Sequence, residues 1–243
     1  MNKIGDIDKR IRQREISNKY IDLPVKFLIK HNVTPNKISF IGFLCTSIAA
    51  LLIAMGWIYN NILFGWLIPT LFGLAGVFDL FDGEVARRTD KDTQAGAFLD
   101  SNIDRLSDAI IILGLIYGGM VNYLLGYVIL FLVLMISYIR SRAETEGINM
   151  AGIGYMERAE RIMFLLFTFI IELAFYHISV LTTGSVLTIS IPFITSIPVT
   201  PVFFIGIIVF TLALIYTVVQ RFKHSYKSLK TLNEENINSE SNQ

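Results

Sequence analysis

Three long stretches of this chain contain no lysine or arginine: 38–86, 106–139 and 162–220. All 21 basic residues fall in 1–37, 87–105, 140–161 and 221–230. Within these stretches, charge-free runs such as ISFIGFLCTSIAALLIAMGWIY (38–59) and TPVFFIGIIVFTLALIYTVVQ (200–220) match the roughly 20 apolar residues that carry a helix across the hydrocarbon layer. Helices satisfy their own backbone groups there, so a helical bundle is the expected solution. A 53% hydrophobic composition argues against a soluble domain.

The expected fold is an all-α polytopic membrane protein with six transmembrane helices, near 37–59, 62–88, 96–119, 122–146, 157–181 and 199–222, and an N-terminal amphipathic interfacial helix. The chain divides into a cytoplasmic amphipathic arm (1–33), a six-helix domain (34–225) and a polar cytoplasmic tail (226–243), of which NEENINSESNQ (233–243) is expected to be disordered. In the arm, Ile7, Ile11, Tyr20, Val25 and Phe27–Ile29 are expected to lie on the membrane surface, with Pro24 separating two short helices. The apolar connection 182–199 contains turn formers and is expected to rest against the bilayer. Basic residues cluster at both termini and after the second and fourth segments, so the positive-inside rule puts those parts in the cytoplasm. Cys45 has no disulfide partner, and His31, His177 and His224 are scattered. No internal repeat supports an inverted-repeat transporter.

One segment does not fit a purely structural role: DLFDGEVARRTDKDTQAGAFLDSNIDRLSDA, 79–109. Asp79 and Asp82 are three apart and Asp100 and Asp104 four apart, so each pair shares a helix face. A short turn joins the two helices and would bring the acidic faces together. Carboxylates that close repel unless cations separate them, and hard divalent ions, Mg²⁺ or Mn²⁺, suit oxygen ligands. Four acids accommodate two ions. Gly83, Ala86 and Gly96 leave space beside them, and Arg87 supplies a planar fork for phosphate. Metal, arginine and glycine-lined space together describe a diphosphate site.

The pattern D-x2-D-G-x2-A-R-x8-G-x3-D-x3-D, running from Asp79 to Asp104, resembles the signature of the CDP-alcohol phosphotransferases, membrane enzymes that join a CDP-activated lipid to an alcohol. The resemblance implies that Asp79, Asp82, Asp100 and Asp104 hold two Mg²⁺ or Mn²⁺ ions and that Asp104 is the catalytic base. It implies that Gly83, Ala86, Arg87, Thr93 and Gly96 surround the CDP portion. TPNKIS (34–39) is similar to the family's first-helix start and adds Asn36 and Ser39. It also implies a homodimer working on CDP-lipid in the membrane, with no nucleic acid partner.

The second basic loop, YIRSRAETEGINMAGIGYMERAER (138–161), suggests an acceptor that itself carries phosphate. Arg158 and Arg161 open the fifth helix, and Arg140 and Arg142 close the fourth. Glu144, Glu146, Glu157 and Glu160 are equally placed to neutralise these arginines in local ion pairs. SYIRSRAE and MERAER resemble the phosphatidylinositol phosphate synthases and their archaeal-lipid counterparts within the family, which implies inositol phosphate as acceptor; VVQR, similar in the same way, adds Arg221. The alternatives are glycerol 3-phosphate as acceptor and, in another class, a divalent-cation transporter built on intramembrane acids. Glu172 has no role in any of these readings.

Overall fold

The structure, a computed structural model, describes residues 21–60, 62–91 and 93–240. Expectations for Ile7, Ile11, Tyr20 and the rest of 1–20 lie outside the described residues. Residues 21–30 are helical (α1). The helices that follow are α2 (Pro35–Ala54), α3 (Trp57–Asn60), α4 (Ile62–Arg88), α5 (Gln94–Tyr117), α6 (Tyr123–Thr145), α7 (Arg158–Thr183) and α8 (Pro201–Glu240). Among the described residues the only β pairing is an isolated bridge between Ile189 and Val199.

α2, α4, α6, α7 and α8 are long and apolar enough to cross a membrane. α5 has the length, 24 residues, but carries Asp100, Asp104, Arg105 and Asp108. Four of the six expected segments agree with their helices to within about two residues at either end. The first expected segment is cut short, because Gly56 takes a left-handed φ of 70° and ends α2 before α3. The last is extended. α8 continues to Glu240 where a disordered tail is expected, and no glycine or proline occurs after Gly206 to break it.

The packing divides into two units: the described residues up to Cys45 with Leu74–Leu106, and Thr46–Gly73 with the described residues from Ser107 onward. In the first, Val25, Ile38 and Val85 form a small core joined by Ile21, Leu28, Ile29, Val33, Phe78 and Phe81. Ile21, Val25, Leu28 and Ile29 follow helical spacing, so α1 turns one apolar face inward. This corrects the expected membrane-surface placement of Val25, Leu28 and Ile29; Leu23 and Phe27 stay exposed. Pro24 lies within the helical run 21–30 rather than between two helices. Asp22 pairs with Lys26 and Arg88, which hold its carboxyl below the usual carboxylate range and tie α1 to the end of α4. α2 and α4 come close at Gly42, where a Cβ would meet Phe78 Cβ at 3.3 Å and the Ala75 carbonyl at 3.4 Å.

The second unit holds the larger core, with Phe169, Phe203 and Phe210 fully buried. Phe72 meets Phe169 edge-on and Phe164 stacks on Phe210, at centroid separations of 6.1 and 5.7 Å. α2 and α5 make backbone contact there, since a Cβ on Gly114 would lie 2.7 Å from the Ala50 carbonyl oxygen. The connection 182–199 is anchored to protein: Ser196 and Ile197 N–H donate to Gly119 O, and Asn122 N–H donates to Ile194 O. Glu172, fully buried, acquires a structural role. It accepts from Tyr59 Oη, from Thr200 Oγ1 and from Phe203 N–H at 3.0 Å, and so caps the start of α8.

Candidate functional site

Thr34 and Pro35 start α2: Thr34 O accepts from Lys37 and Ile38 N–H, and proline suits the first helical position. One turn on, Ser39 Oγ donates to Asp82 Oδ2 at 2.6 Å, a contact buried between α2 and α4. α5 begins at a cap made by Thr93, whose Oγ1 accepts from Gly96 N–H at 3.0 Å. A Cβ on Gly96 would crowd that hydroxyl at 3.1 Å and stand 3.8 Å from Asn36 Oδ1. The turn between α4 and α5 includes Asp90 in a left-handed conformation, φ 50°, and a Lys91 N–H donating to Ala86 O.

These local choices bring Asp79, Asp82 and Asp100 together, with one oxygen of each within 4.8 Å of the others. Asp82 is buried and its neighbours half-buried. Six oxygens about 2.1 Å from Mg²⁺ stand at most about 4.2 Å apart. Neighbouring oxygens of such an octahedron stand about 3.0 Å apart, so a single ion would draw the three carboxylates closer together. The donor set, carboxylates without sulfur or imidazole, fits a hard divalent cation. Asp104, one turn beyond Asp100 on α5, falls outside the three-member set.

Beside the aspartates lies a cavity of about 140 Å³. Of the residues expected around a CDP group, Asn36, Ser39, Gly83, Ala86, Thr93 and Gly96 line it, together with Asp82 and Asp100. Arg87 does not; its side chain is 65% exposed and its guanidinium donates to Glu84 at 2.7 and 3.2 Å. Lys91 does line it, and was missed although it is the one lysine of the RRTDKDTQ turn. The cavity thus combines carboxylates suited to a cation, the amino end of α5, which favours an anion, and one ammonium group. A cation–phosphate assembly suits such a lining.

In the second unit the five arginines separate into different environments. Arg140 pairs with Glu144 at 2.9 Å and Arg142 with Glu146, both on the exposed end of α6. Arg158, half-buried, is the first residue of α7. Arg161 is buried and bonded to Asp108 at 2.6 Å, with a second bond to Met156 O at 3.3 Å. Arg221 is buried too, donating to Ile153 O and Ile136 O at 2.8 Å each, with Glu157 at 3.7 Å. Gly154 accommodates it: φ is 130°, and a Cβ would lie 2.8 Å from Arg221 Nε. Glu144 and Glu146 therefore do form the local ion pairs that the spacing allowed, whereas Glu157 faces Arg221, 64 positions away. Asp108, which continues the four-residue step of Asp100 and Asp104, was not anticipated.

A sequence model of CDP-alcohol phosphatidyltransferases matches residues 32–218, most of the chain and all of the aspartate pattern. The chain belongs to this family. It is 39% identical over 140 residues to the archaetidylinositol phosphate synthase of Pyrococcus horikoshii, covering 58% of this chain and 71% of that protein. It is 50% identical over 96 residues to the protein of the same name from Methanothermobacter thermautotrophicus, covering 40% of this chain and 49% of that one. Its fold is similar to that of Mycobacterium tuberculosis phosphatidylinositol phosphate synthase with CDP-DAG bound, at a TM-score of 0.64 and 24% identity over 86% of this chain and 94% of that one. A structure of the same mycobacterial enzyme holds manganese and citrate and aligns at a TM-score of 0.63, over 85% of this chain and 88% of that one, at 24% identity. Family membership makes this chain a phosphotransferase of the phospholipid-synthesis class.

Proposed function

We propose that this chain transfers a phosphatidyl-type group, diacylglycerol- or archaeol-based, from a CDP-lipid to a hydroxyl of inositol phosphate and releases CMP. The observation that carries the reading is the Asp79–Asp82–Asp100 cluster beside a cavity lined by the amino end of α5. The names of the relatives support the choice of acceptor. Asp79, Asp82 and Asp100, joined by Asp104, hold divalent Mg²⁺ or Mn²⁺, two ions in the full site; that the mycobacterial enzyme has a structure in complex with manganese supports such a metal. When bound, the metal supplies positive charge against the diphosphate oxygens and the departing CMP. Ser39 fixes the orientation of Asp82. The positive amino end of α5 and Lys91 take the diphosphate charge, and Arg87 joins them on release from Glu84. Asp104 accepts the proton of the acceptor hydroxyl. That oxygen forms a bond to the phosphorus bearing the lipid, the P–O bond to CMP breaks, and the proton later passes from Asp104 to water.

Arg158 receives the acceptor's phosphate, and Arg140 and Arg142 join it by releasing their exposed i,i+4 partners, which contribute only about 0.3–0.5 kcal/mol each. Arg161 and Arg221 hold that region in shape. All six long helices span the membrane, both termini and the site face the cytoplasm, and the protein works as a homodimer. The arm 1–33, the catalytic domain 34–225 and the tail 226–243 remain the proposed division.

The test supplies purified full-length protein with CDP-lipid, a divalent cation and a panel of alcohols. CMP release is expected with inositol phosphate and to be absent with unphosphorylated inositol. Asp104→Asn should lose release while keeping its unfolding midpoint. Preferred turnover of glycerol 3-phosphate would replace the acceptor, and undiminished turnover in Asp104→Asn would remove its base role.

A further inference from the structure

Beyond its apolar run, α8 carries RFKHSYKSLKTL, 221–232, with four lysine or arginine residues, one histidine and no acid. His224, Lys227, Ser228 and Thr231 recur at helical spacing and line one wall of an open groove of about 640 Å³. The opposite wall is the turn Gly147–Asn149 that follows α6. That turn is held against α8 by a small core in which Ala143, Ile148 and Met150 pack with Leu229, and Ser225 Oγ lies 3.4 Å from Met150 Sδ. The groove is therefore a fixed feature of the packing. Among the described residues, no acidic one lines it. The nearest described lysine–carboxylate pair on the helix is Lys230 with Glu234, at 3.9 Å, and Lys230 is not part of the lining.

The other face of the same helical stretch shows what surrounds it. Phe222 and Tyr226 are 61% and 66% exposed and stack at a centroid separation of 6.3 Å. An exposed aromatic pair next to lysines, where an apolar helix ends, suits the headgroup layer of a bilayer. The groove shares no lining residue with the aspartate cavity. We propose that this groove binds the phosphate of an anionic headgroup, with Lys227 supplying charge and His224, Ser228 and Asn149 supplying neutral donors. The lipid is a membrane component acting at its own site, not the CDP-lipid substrate.

The experiment uses the full chain in neutral-headgroup detergent micelles. Fluorescent phosphatidic acid, a phosphatidylcholine analogue and inorganic phosphate are titrated into wild type, Lys227→Gln, Lys227→Arg and Ser228→Ala. Phosphatidic acid should bind wild type, bind about tenfold more weakly to Lys227→Gln and recover in Lys227→Arg, as expected for one charge-assisted contact. Ser228→Ala should weaken it too, which preserves the test if Lys227→Gln does not fold. Phosphatidylcholine should not discriminate among the variants. Displacement of phosphatidic acid by inorganic phosphate would identify a soluble phosphate as sufficient; resistance to displacement would identify the lipid-borne group. Equal phosphatidic acid binding by wild type, Lys227→Gln and Ser228→Ala would overturn the proposal. CMP release should be unchanged in Lys227→Gln, so the groove and the transfer reaction fail or stand separately.

Discussion

At the scale of single residues, the aspartates depend on a neighbour that is not itself a ligand. Ser39 donates to Asp82 from another helix and is 8% exposed, so water does not readily replace it. Outer partners of this kind typically change metal affinity by about ten- to a hundredfold. Ser39→Ala should raise the Mn²⁺ concentration for half-maximal CMP release by about that factor with little change in the plateau. An unchanged midpoint would show that Asp82 is oriented by other contacts. The three clustered acids were legible in the chain because i, i+3 and i, i+4 spacings place side chains on a face without further information. The Arg161–Asp108 pair was not, since its partners are 53 positions apart and meet through packing of α5 and α7. Even there a trace existed, in the continued step from Asp100 through Asp104 to Asp108.

At the scale of elements, caps and latches decide where helices begin and what they can present. Thr93 closes the amino end of α5 on itself, taking the Gly96 N–H with its hydroxyl and the Ala97 N–H with its carbonyl, and so fixes that helix end against the cavity. Arg221 of α8 joins the 153–157 turn and α6 through two backbone carbonyls. Arg221→Ala would strand those buried acceptors, so it should cost about 2–5 kcal/mol. Denaturation of the detergent-solubilised protein measures this; loss of turnover at full stability would instead make Arg221 a direct contact of the acceptor. Helix positions were readable from apolar length to within a turn, except where backbone geometry intervened. Gly56 ends α2 by its left-handed conformation, and glycine in an apolar run gives no sign of that. The inward face of α1 looked like a membrane-binding face because both need the same apolar spacing; Val25 is buried by protein instead.

At the scale of the whole molecule, the strongest information is where charge is missing. Basic residues concentrated between alternate apolar segments are the ground for the proposed cytoplasmic face. Single cysteines introduced at Ser185 and Ser228, in a Cys45→Ser background, should label from opposite sides of a sealed vesicle. Labelling from the same side would contradict the orientation. The two units hold different parts of the proposed chemistry: the aspartate cavity in the first, and the acceptor arginines and the Lys227 groove in the second.

The central claim is that clustered aspartates hold a divalent cation on which transfer from CDP-lipid depends. The direct measurement is CMP release by the purified protein from CDP-lipid and inositol phosphate as Mn²⁺ is titrated from a chelated start, in wild type and Asp82→Asn. No release is expected under chelation, with a saturable rise as Mn²⁺ is added to wild type and little or none in Asp82→Asn at any concentration. Release at the full rate under chelation, or an Asp82→Asn titration that overlays wild type, would contradict it.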